Sequence, residues 1–209
     1  MKVLIVLAGE PPDETLLAWR TEEADYVIAA DGGMKTLLHA GIQPDLLVGD
    51  FDSFDPANSG SVSCEVIREE EQDSTDLEKA LRHLPGDKSP DEIVLLGATG
   101  GRSDHFLSNV LVVSGLPEEI DVMLDAKEEF IRRVTPARPV KLVGIRGQTV
   151  SLVPLVVCDG VTTKGLHWEL DDAAMGVGVL LGQSNEAVSD DVRIDLRTGS
   201  LLVITPKVG

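Results

Sequence analysis

The chain has 209 residues, enough for one large or two small domains, and 43% are hydrophobic, which excludes an intrinsically disordered protein. Its 18 basic and 36 acidic residues leave a net charge of −18, which argues against a nucleic-acid-binding protein because such proteins need a basic face. No apolar run approaches the ~20 residues of a membrane span. The two cysteines, Cys64 and Cys158, match no metal-binding spacing, and we expect reduced thiols in a cytoplasmic protein.

Short apolar runs rich in branched residues alternate with helical patterns over the first two thirds of the chain. Such runs are typical of parallel strands buried on both faces. They cover Val3–Ala8, Tyr26–Ala30, Leu46–Val48, Ile93–Leu96 and Val122–Leu124. The first run is short and lacks a cleavage site, so we expect a buried strand rather than a signal peptide.

Two segments between these runs have the apolar spacing of helices. Thr75–Leu84 places its apolar residues on one stripe, and Thr75 with Glu78 has the spacing of a capping box. Ser103–Ser114 also has one apolar face. The alternation of strands and helices predicts an α/β domain with a mostly parallel, Rossmann-like sheet over residues 1–134.

The pattern changes near Thr135–Pro139, where two prolines predict a linker. Beyond it the apolar residues recur every second position, most clearly in Val192–Leu196. We expect further strands over 150–155, 161–166, 177–181 and 201–204. The sequence therefore predicts an antiparallel all-β domain, a small sandwich or barrel, over residues 135–209.

Acidic residues follow two of the predicted parallel strands, where an open sheet binds its ligands. Asp31-Gly32-Gly33 follows one strand and Gly49–Ser53 follows another. In an extended segment Asp50 and Asp52 would point the same way, and a cation such as Mg²⁺ would relieve their repulsion. The alternative is a turn in which these side chains bind local backbone.

A glycine-rich turn follows the strand that ends at Leu96. Gly97, Gly100 and Gly101 let the backbone approach an anion closely, and the turn leads into a helix N-terminus. Arg102 adds a phosphate-binding fork, whereas Asp104 would repel phosphate unless a metal is bound. The alternative is an ordinary strand–helix turn.

The helix near residue 75 carries Asp76 in its first turn and Lys79 one turn later. Asp76 would complement the helix dipole or hold a metal, and Lys79 is either a surface charge or a phosphate ligand. His105 is expected to pack or cap a helix rather than act in catalysis. The sequence contains no P-loop, dinucleotide-binding fingerprint, nucleophile elbow or zinc spacing.

Together these stretches resemble the thiamine pyrophosphokinase family. The matching elements in the first domain are Asp31-Gly32-Gly33, Pro44-Asp45, Gly49–Ser53, Gln72-Asp73, Thr75-Asp76, Lys79, Gly100–Arg102 and Asp104-His105. In the second domain, Thr162–Leu170 and Ser184-Asn185 resemble the family's C-terminal signature. Residues 186–191 match no pattern of the family.

The resemblance implies an α/β catalytic domain, a β-sandwich domain that binds thiamine and dimerises, and a homodimer with active sites between subunits. It implies that the β,γ-diphosphate of ATP passes to the thiamine hydroxyl, with Mg²⁺ as cofactor and AMP as product. The implied Mg²⁺-associated acids are Asp50, Asp52, Asp76 and Asp104. For the mechanism, we expect Asp73 or one of these acids to accept the hydroxyl proton, and the sequence does not choose among them.

The resemblance also implies the binding residues. Those near ATP would be Asp31, Gly32, Gly33, Lys79, Thr99, Gly100, Gly101 and Arg102. Those near thiamine would be Gln72, Trp168, Ser184 and Asn185, with Trp168 contributed by the partner subunit. A tryptophan in a β domain is usually a core residue, but its polar neighbours His167 and Glu169 favour a ring presented to a cationic ligand.

Two other functions fit the same acidic residues. One is a metal-dependent phosphohydrolase acting on a nucleotide. The other is a non-catalytic sensor of thiamine or nucleotide.

Overall fold

The computed structural model describes residues 1–52, 54, 62–86 and 89–207. The chain forms two compact units. Unit 1 contains Met1–Val112 and Leu124–Lys127, and unit 2 contains Val113–Met123 and Glu128–Gly209. In the described part of the chain, no helix has the length and apolar character needed to cross a membrane.

Unit 1 is an α/β unit built on parallel strands. Its strands are β1 (Lys2–Val6), β2 (Tyr26–Ala30), β3 (Leu46–Gly49), β4 (Glu65–Arg68) and β5 (Glu92–Leu96). Its helices are α1 (Glu14–Glu23), α2 (Gly33–His39), α3 (Asp76–Arg82) and α4 (Ser103–Ser114), and the chain leaves unit 1 within α4. Strand β6 (Asp121–Asp125) contains the point where the chain returns.

The parallel strands of unit 1 run in the order β5-β1-β2-β3-β4. Strands β1, β2, β3 and β5 are almost wholly buried, which explains why they appear in the sequence as continuous apolar runs. Strand β4 is largely exposed and charged, as suits the edge of a sheet. The carboxyl ends of β1, β3 and β5 lie at one edge of this sheet, where the loops that follow these strands begin.

The predicted elements of unit 1 are confirmed, with α3 carrying the predicted capping box. The Thr75 hydroxyl accepts a hydrogen bond from the Glu78 N–H, and the Glu78 carboxylate accepts one from the Thr75 N–H. The sequence reading missed α1, α2 and β4. Helix α1 and strand β4 lack a clear apolar pattern, because α1 buries Arg20 beside Leu17 and β4 is only partly buried. Helix α2 buries Met34 and Leu37, but it is only seven residues long.

Unit 2 contains antiparallel strands in two sheets, as the sequence predicts. Four strands lie in the order β12-β9-β14-β7 as part of one sheet, and the other sheet has the order β11-β10-β13-β8. The bounds are β7 Glu129–Val134, β8 Val140–Val143, β9 Thr149–Pro154, β10 Cys158–Lys164, β11 Ala173–Met175, β12 Gly182–Glu186, β13 Asp191–Asp195 and β14 Leu201–Pro206. Side chains from both sheets, including Val150, Val192 and Val203, form one apolar core.

Two local predictions for unit 2 differ from the structure. The predicted strand over 177–181 is wrong: the segment turns between β11 and β12, with an isolated bridge from Gly176 to Leu180 and a positive φ of 75° at Gly178. The predicted linker at 135–139 is a turn between β7 and β8 inside unit 2. The division of function at residue 134 stays a prediction.

Candidate active site

A cavity of about 590 Å³ lies at the carboxyl ends of the parallel strands of unit 1. Its wall comes from the loops after β1, β3 and β5 and from the first turns of α3 and α4. The lining residues are Leu7, Ala8, Gly9, Asp50, Gln72, Ser74, Thr75, Asp76, Leu77, Lys79, Ala98, Gly100, Gly101, Arg102, His105, Ser108 and Asn109. The cavity therefore lies where an open parallel sheet is expected to bind a ligand.

Asp50 is held in the cavity wall by three neighbours. Its carboxylate accepts hydrogen bonds from the Asp52 N–H at 3.1 Å and from Gln72 Nε2 at 3.0 Å, and Lys79 Nζ lies 3.6 Å away. These contacts, the Asp52 N–H first, lower the pKa of Asp50 although burial raises it. Asp50 is therefore an anionic group aimed at the cavity.

The expected extended geometry of Asp50 and Asp52 is wrong. Phe51 between them has a left-handed φ of 67°, and the Asp50 carboxylate accepts a hydrogen bond from the Asp52 N–H. The segment is therefore a turn in which a side chain binds local backbone, which was the alternative prediction. Asp52 is exposed and does not line the cavity. Ser53, the last residue of this motif, lies outside the described residues.

Asp31 and Asp76 add further negative charge beside Asp50. Asp31 is 4% exposed, and its Oδ1 has no hydrogen-bond partner among the residues that the structure describes. The pKa of Asp76 is raised, first by burial and then by the charge of Asp31, whereas Lys79 lowers it. Since Lys79 is itself only 1% exposed, it is a buried cation within this group of carboxylates.

The glycine-rich loop adopts the backbone conformations that its sequence predicts. Gly100 and Gly101 have φ values of 76° and 62°, and α4 starts two residues later. A Cβ on Gly100 would lie 2.5 Å from the Glu10 Cβ, so both space and conformation require glycine there. Backbone N–H groups and a helix N-terminus thus border the cavity.

Arg102 and Asp104 form an exposed pair at the mouth of this loop. Arg102 Nη2 and Nε donate to the two oxygens of Asp104 at 2.6 and 3.1 Å. The hydrogen bond from Arg102 lowers the pKa of Asp104 to about 2. Arg102 lines the cavity, whereas Asp104 does not, so the guanidinium is the group available to an anion there.

Trp168 in unit 2 is 62% exposed, which rules out the alternative that it is a core residue. The His167 ring meets it edge-on, with 4.5 Å between ring centroids. Asn185, which is 7% exposed, accepts a hydrogen bond from the Trp168 N–H at 3.1 Å and donates one to the Trp168 carbonyl at 2.8 Å. Ser184 is exposed, with a left-handed φ of 58°.

Both units match models of a known family. Residues 18–124 match the thiamin pyrophosphokinase catalytic domain, and residues 138–201 match the thiamin pyrophosphokinase vitamin B1 binding domain. The chain belongs to the thiamin pyrophosphokinase family. The resemblance expected from the sequence is thereby confirmed.

Relatives and solved structures agree with this membership. A thiamine pyrophosphokinase of Bacillus subtilis is 31% identical, with 98% of each chain covered, and thiamine pyrophosphokinase 1 of Oryza sativa is 30% identical over 91% of this chain and 82% of the relative. The crystal structure of the Bacillus subtilis protein superposes with a TM-score of 0.82 and 29% identity over the whole of both chains. The fold class of this family member is thus confirmed.

The chemistry of the cavity fits the Mg²⁺ that the resemblance implies. Asp31 Oδ1 is buried without a hydrogen-bond partner among the described residues, and burial with the charge of Asp31 raises the pKa of Asp76, so a cation beside these two carboxylates would neutralise charge that the protein leaves uncompensated. Carboxylate oxygens are the ligands that Mg²⁺ prefers. In the part of the chain that the structure describes, however, no three His, Cys, Asp or Glu side chains are already arranged to hold a metal.

The predicted site residues fall into three groups. Those that line the cavity are Asp50, Gln72, Asp76, Lys79, Gly100, Gly101 and Arg102. Those of unit 1 outside its lining are Asp31, Gly32, Gly33, Asp52, Asp73, Thr99 and Asp104. Those in unit 2 are Trp168, Ser184 and Asn185.

Several lining residues were not predicted as part of the site. Leu7, Ala8 and Gly9 follow β1, and the rule that ligands bind beyond strand carboxyl ends would have indicated them. His105, expected only to pack or cap, also lines the cavity, one turn of helix before Asn109. The Asn109 side chain donates to the Ala98 carbonyl at 3.0 Å and so fixes the loop against α4.

Proposed function

We propose that this chain is a thiamine pyrophosphokinase that transfers the β,γ-diphosphate of ATP to the hydroxyl of thiamine. One observation supports this most strongly: in a member of that family, a single cavity is bordered by Asp50, Asp76, the buried Lys79 and a glycine-rich loop. Carboxylates and an anion-binding backbone in one cavity suit a metal-bound triphosphate.

The proposed reaction is a displacement at the β-phosphorus of ATP. The thiamine hydroxyl oxygen forms a bond to this phosphorus while the bond to the oxygen bridging the α- and β-phosphorus breaks, and AMP leaves with that oxygen. The hydroxyl proton passes to a carboxylate, either Asp73 or one of the acids of the cavity. Positioning and charge neutralisation supply most of the acceleration, as for phosphoryl transfer in general.

The residues of unit 1 divide between the triphosphate and the metal. We assign the ATP side to Asp31, Gly32, Gly33, Lys79, Thr99, Gly100, Gly101 and Arg102. Asp50 and Asp76, which line the cavity, would hold Mg²⁺, which when bound neutralises the triphosphate charge. Asp52 and Asp104 complete the proposed set of Mg²⁺-associated acids, but both lie outside the lining and are not assigned as direct ligands in this conformation. Lys79 and Arg102 would bind phosphate oxygens. The N–H groups of Gly100 and Gly101 would donate hydrogen bonds that stabilise the negative charge developing during transfer.

The thiamine side combines Gln72 with residues of unit 2. We propose that Gln72 contacts the pyrimidine of thiamine. Trp168 of the partner subunit would stack on thiamine, with Ser184 and Asn185 nearby. A ring stacked on a cation gains about 0.5–2 kcal/mol. This arrangement needs a homodimer with active sites between subunits. We assign catalysis to residues 1–134, and thiamine binding and dimerisation to residues 135–209.

We also propose that the protein acts in the cytoplasm. Cys64 and Cys158 are both free thiols, which is usual for proteins of a reducing compartment.

One assay tests the proposed activity. The protein is incubated with ATP, Mg²⁺ and thiamine, and AMP and thiamine diphosphate are measured together. We expect both in equal amounts, and none from Asp50→Asn. Phosphate released without thiamine would indicate a phosphohydrolase, and tight binding without AMP would indicate a sensor. Light scattering tests the dimer.

A further inference from the structure

The loop before α3, residues 69–75, is fastened to the end of that helix by one arginine. Arg82 Nη2 lies 2.7 Å from Glu69 Oε2, 2.6 Å from Glu71 Oε1 and 2.6 Å from Ser74 Oγ. His83 also contacts the Glu69 carboxylate. Three positions of the loop are thus joined to a single guanidinium of α3.

Glu71 connects Arg82 to the backbone of the loop. Its Oε1 accepts from Arg82 and from the Ser74 hydroxyl, and its Oε2 accepts from the Asp73 N–H at 2.9 Å. The hydrogen bonds from Ser74 and Arg82 lower the pKa of Glu71 to about 2, so the carboxylate stays ionised well into the acidic range.

Gln72 lies between the two loop residues that this contact fixes. Its side chain reaches the cavity, where Nε2 donates to Asp50 Oδ2 at 3.0 Å and to the Glu70 carbonyl at 3.4 Å. The direction of the Gln72 amide therefore depends on the backbone between Glu71 and Asp73.

We propose that Arg82 is a positioning residue that, through Glu71, holds Gln72 in the orientation that binds the acceptor alcohol. This inference rests on the proposed function, because Gln72 is assigned to the thiamine side of the site. Arg82 itself does not line the cavity. It acts on the acceptor only through the loop.

A purely stabilising role is the main alternative, and the exposure of the pair argues against it. The Arg82 and Glu71 side chains are 47% and 40% exposed, and ion pairs this exposed contribute little to the stability of a fold. What the contacts do fix is the conformation of a short loop, which matters for a site that must hold its groups in position.

The test is steady-state kinetics on the full chain with Arg82→Met. We expect the KM for thiamine to rise about tenfold, while kcat and the KM for ATP stay within about twofold. Arg82→Lys should recover part of the loss, since lysine keeps the positive charge but is shorter and lacks the planar guanidinium. The control is Arg146→Met, which removes the same charge from an exposed pair with Asp190 in unit 2.

A double-mutant cycle tests the route through Glu71. We expect Glu71→Ala to raise the KM for thiamine as Arg82→Met does, and the double variant to be no worse than either single variant. Additive effects would overturn the route. An unchanged KM in Arg82→Met, or parallel losses in kcat, both KM values and Tm, would overturn the positioning role.

Hydrogen exchange supplies a readout that does not depend on turnover. We expect the Asp73 amide, which donates to Glu71, to exchange faster in Arg82→Met than in the unchanged protein, with the amides of α3 unaffected. Unchanged exchange would overturn the inference even if the enzyme is active. If the unchanged protein forms no AMP from ATP and thiamine, the proposed function fails while this measurement still decides whether Arg82 holds the loop.

Discussion

The side-chain amide of Asn185 forms hydrogen bonds with both backbone polar groups of Trp168. Its Oδ1 accepts from the Trp168 N–H at 3.1 Å, and its Nδ2 donates to the Trp168 carbonyl at 2.8 Å. Asn185 is 7% exposed and Trp168 is 62% exposed, so a buried amide holds an exposed ring in place. We therefore expect Asn185 to act on thiamine through Trp168.

Trp168→Ala should weaken thiamine binding without weakening the fold. The lost stacking on a cation, about 1–2 kcal/mol, corresponds to a KM for thiamine roughly 5- to 30-fold higher. Tm should not fall, because the ring is largely exposed, and Trp168→Phe should restore part of the affinity. Trp19→Ala, which removes the other exposed tryptophan (46% exposed), is the matched control. An unchanged KM would remove Trp168 from the site.

Asn185→Ala should affect both binding and stability. It leaves two partly buried backbone groups of Trp168 without their partner, which we expect to lower the free energy of unfolding by about 1 kcal/mol. The KM for thiamine should rise about as much as in Trp168→Ala, and the two substitutions together should not add. Urea unfolding and steady-state kinetics measure both effects, and fully additive KM changes would indicate that Asn185 contacts thiamine itself.

Lys79→Met should destabilise the protein most at neutral pH. Lys79 is buried 3.6 Å from Asp50, and removing one member of a buried pair typically lowers the free energy of unfolding by on the order of 3 kcal/mol. The deficit should be smaller at a mildly acidic pH than at neutral pH, because the raised pKa of Asp76 brings that carboxyl closer to its neutral form as the pH falls. Urea midpoints at both pH values measure this.

The control for Lys79→Met is Lys35→Met, which removes an exposed lysine of α2. A stability loss that is equal in the two variants would show that overall charge, rather than the group of carboxylates around Lys79, sets the effect. Loss of activity in Lys79→Met with unchanged stability would mean that Lys79 serves only the substrate.

Local patterns in the sequence predict much of unit 1 because they are themselves the cause of the structure. The buried run Tyr26–Ala30 is β2, and the spacing of Thr75 and Glu78 is a capping box. The parallel order of the strands brings the acidic ends together at one edge, so the cavity follows from the fold class.

The contacts that position the site could not be predicted, since they join residues distant in sequence or depend on one backbone angle. The left-handed φ of Phe51 turns Asp52 away from the cavity, and a period of two residues cannot reveal it. The contacts of Arg82 with Glu69 and Glu71 depend on how α3 packs beside the loop. In the same way, the apolar run 177–181 resembles a strand, but Gly178, with its positive φ, makes it a turn.

Arg102→Met should weaken ATP binding while leaving the fold unchanged. Arg102 and Asp104 are 72% and 62% exposed, so their pair contributes little to stability, and Tm should not change. We expect the KM for ATP to rise about tenfold, because a bidentate phosphate contact is lost. Arg197→Met, which breaks an exposed pair with Asp172, is the control. Equal KM values for ATP in both variants would contradict the assignment.

Asp76→Asn should stabilise the protein while abolishing turnover. The folded-state pKa of Asp76 is raised, so the folded chain binds this proton more tightly than the unfolded chain, and stability falls as pH rises through that window. Asparagine carries no charge, so Tm should exceed that of the unchanged protein at pH 7 and approach it near pH 4, despite a small loss of helix-dipole interaction.

The effect of Mg²⁺ on Tm tests whether Asp76 holds the cation. A ligand that binds only the folded state raises Tm, so added Mg²⁺ should stabilise the unchanged protein, and chelation should reverse the effect. Asp76→Asn should respond much less, whereas Asp195→Asn, at an exposed position of β13, should respond as the unchanged protein does. Equal responses in all three proteins would mean that Asp76 does not hold the cation, and its raised pKa would then reflect burial and the charge of Asp31 alone.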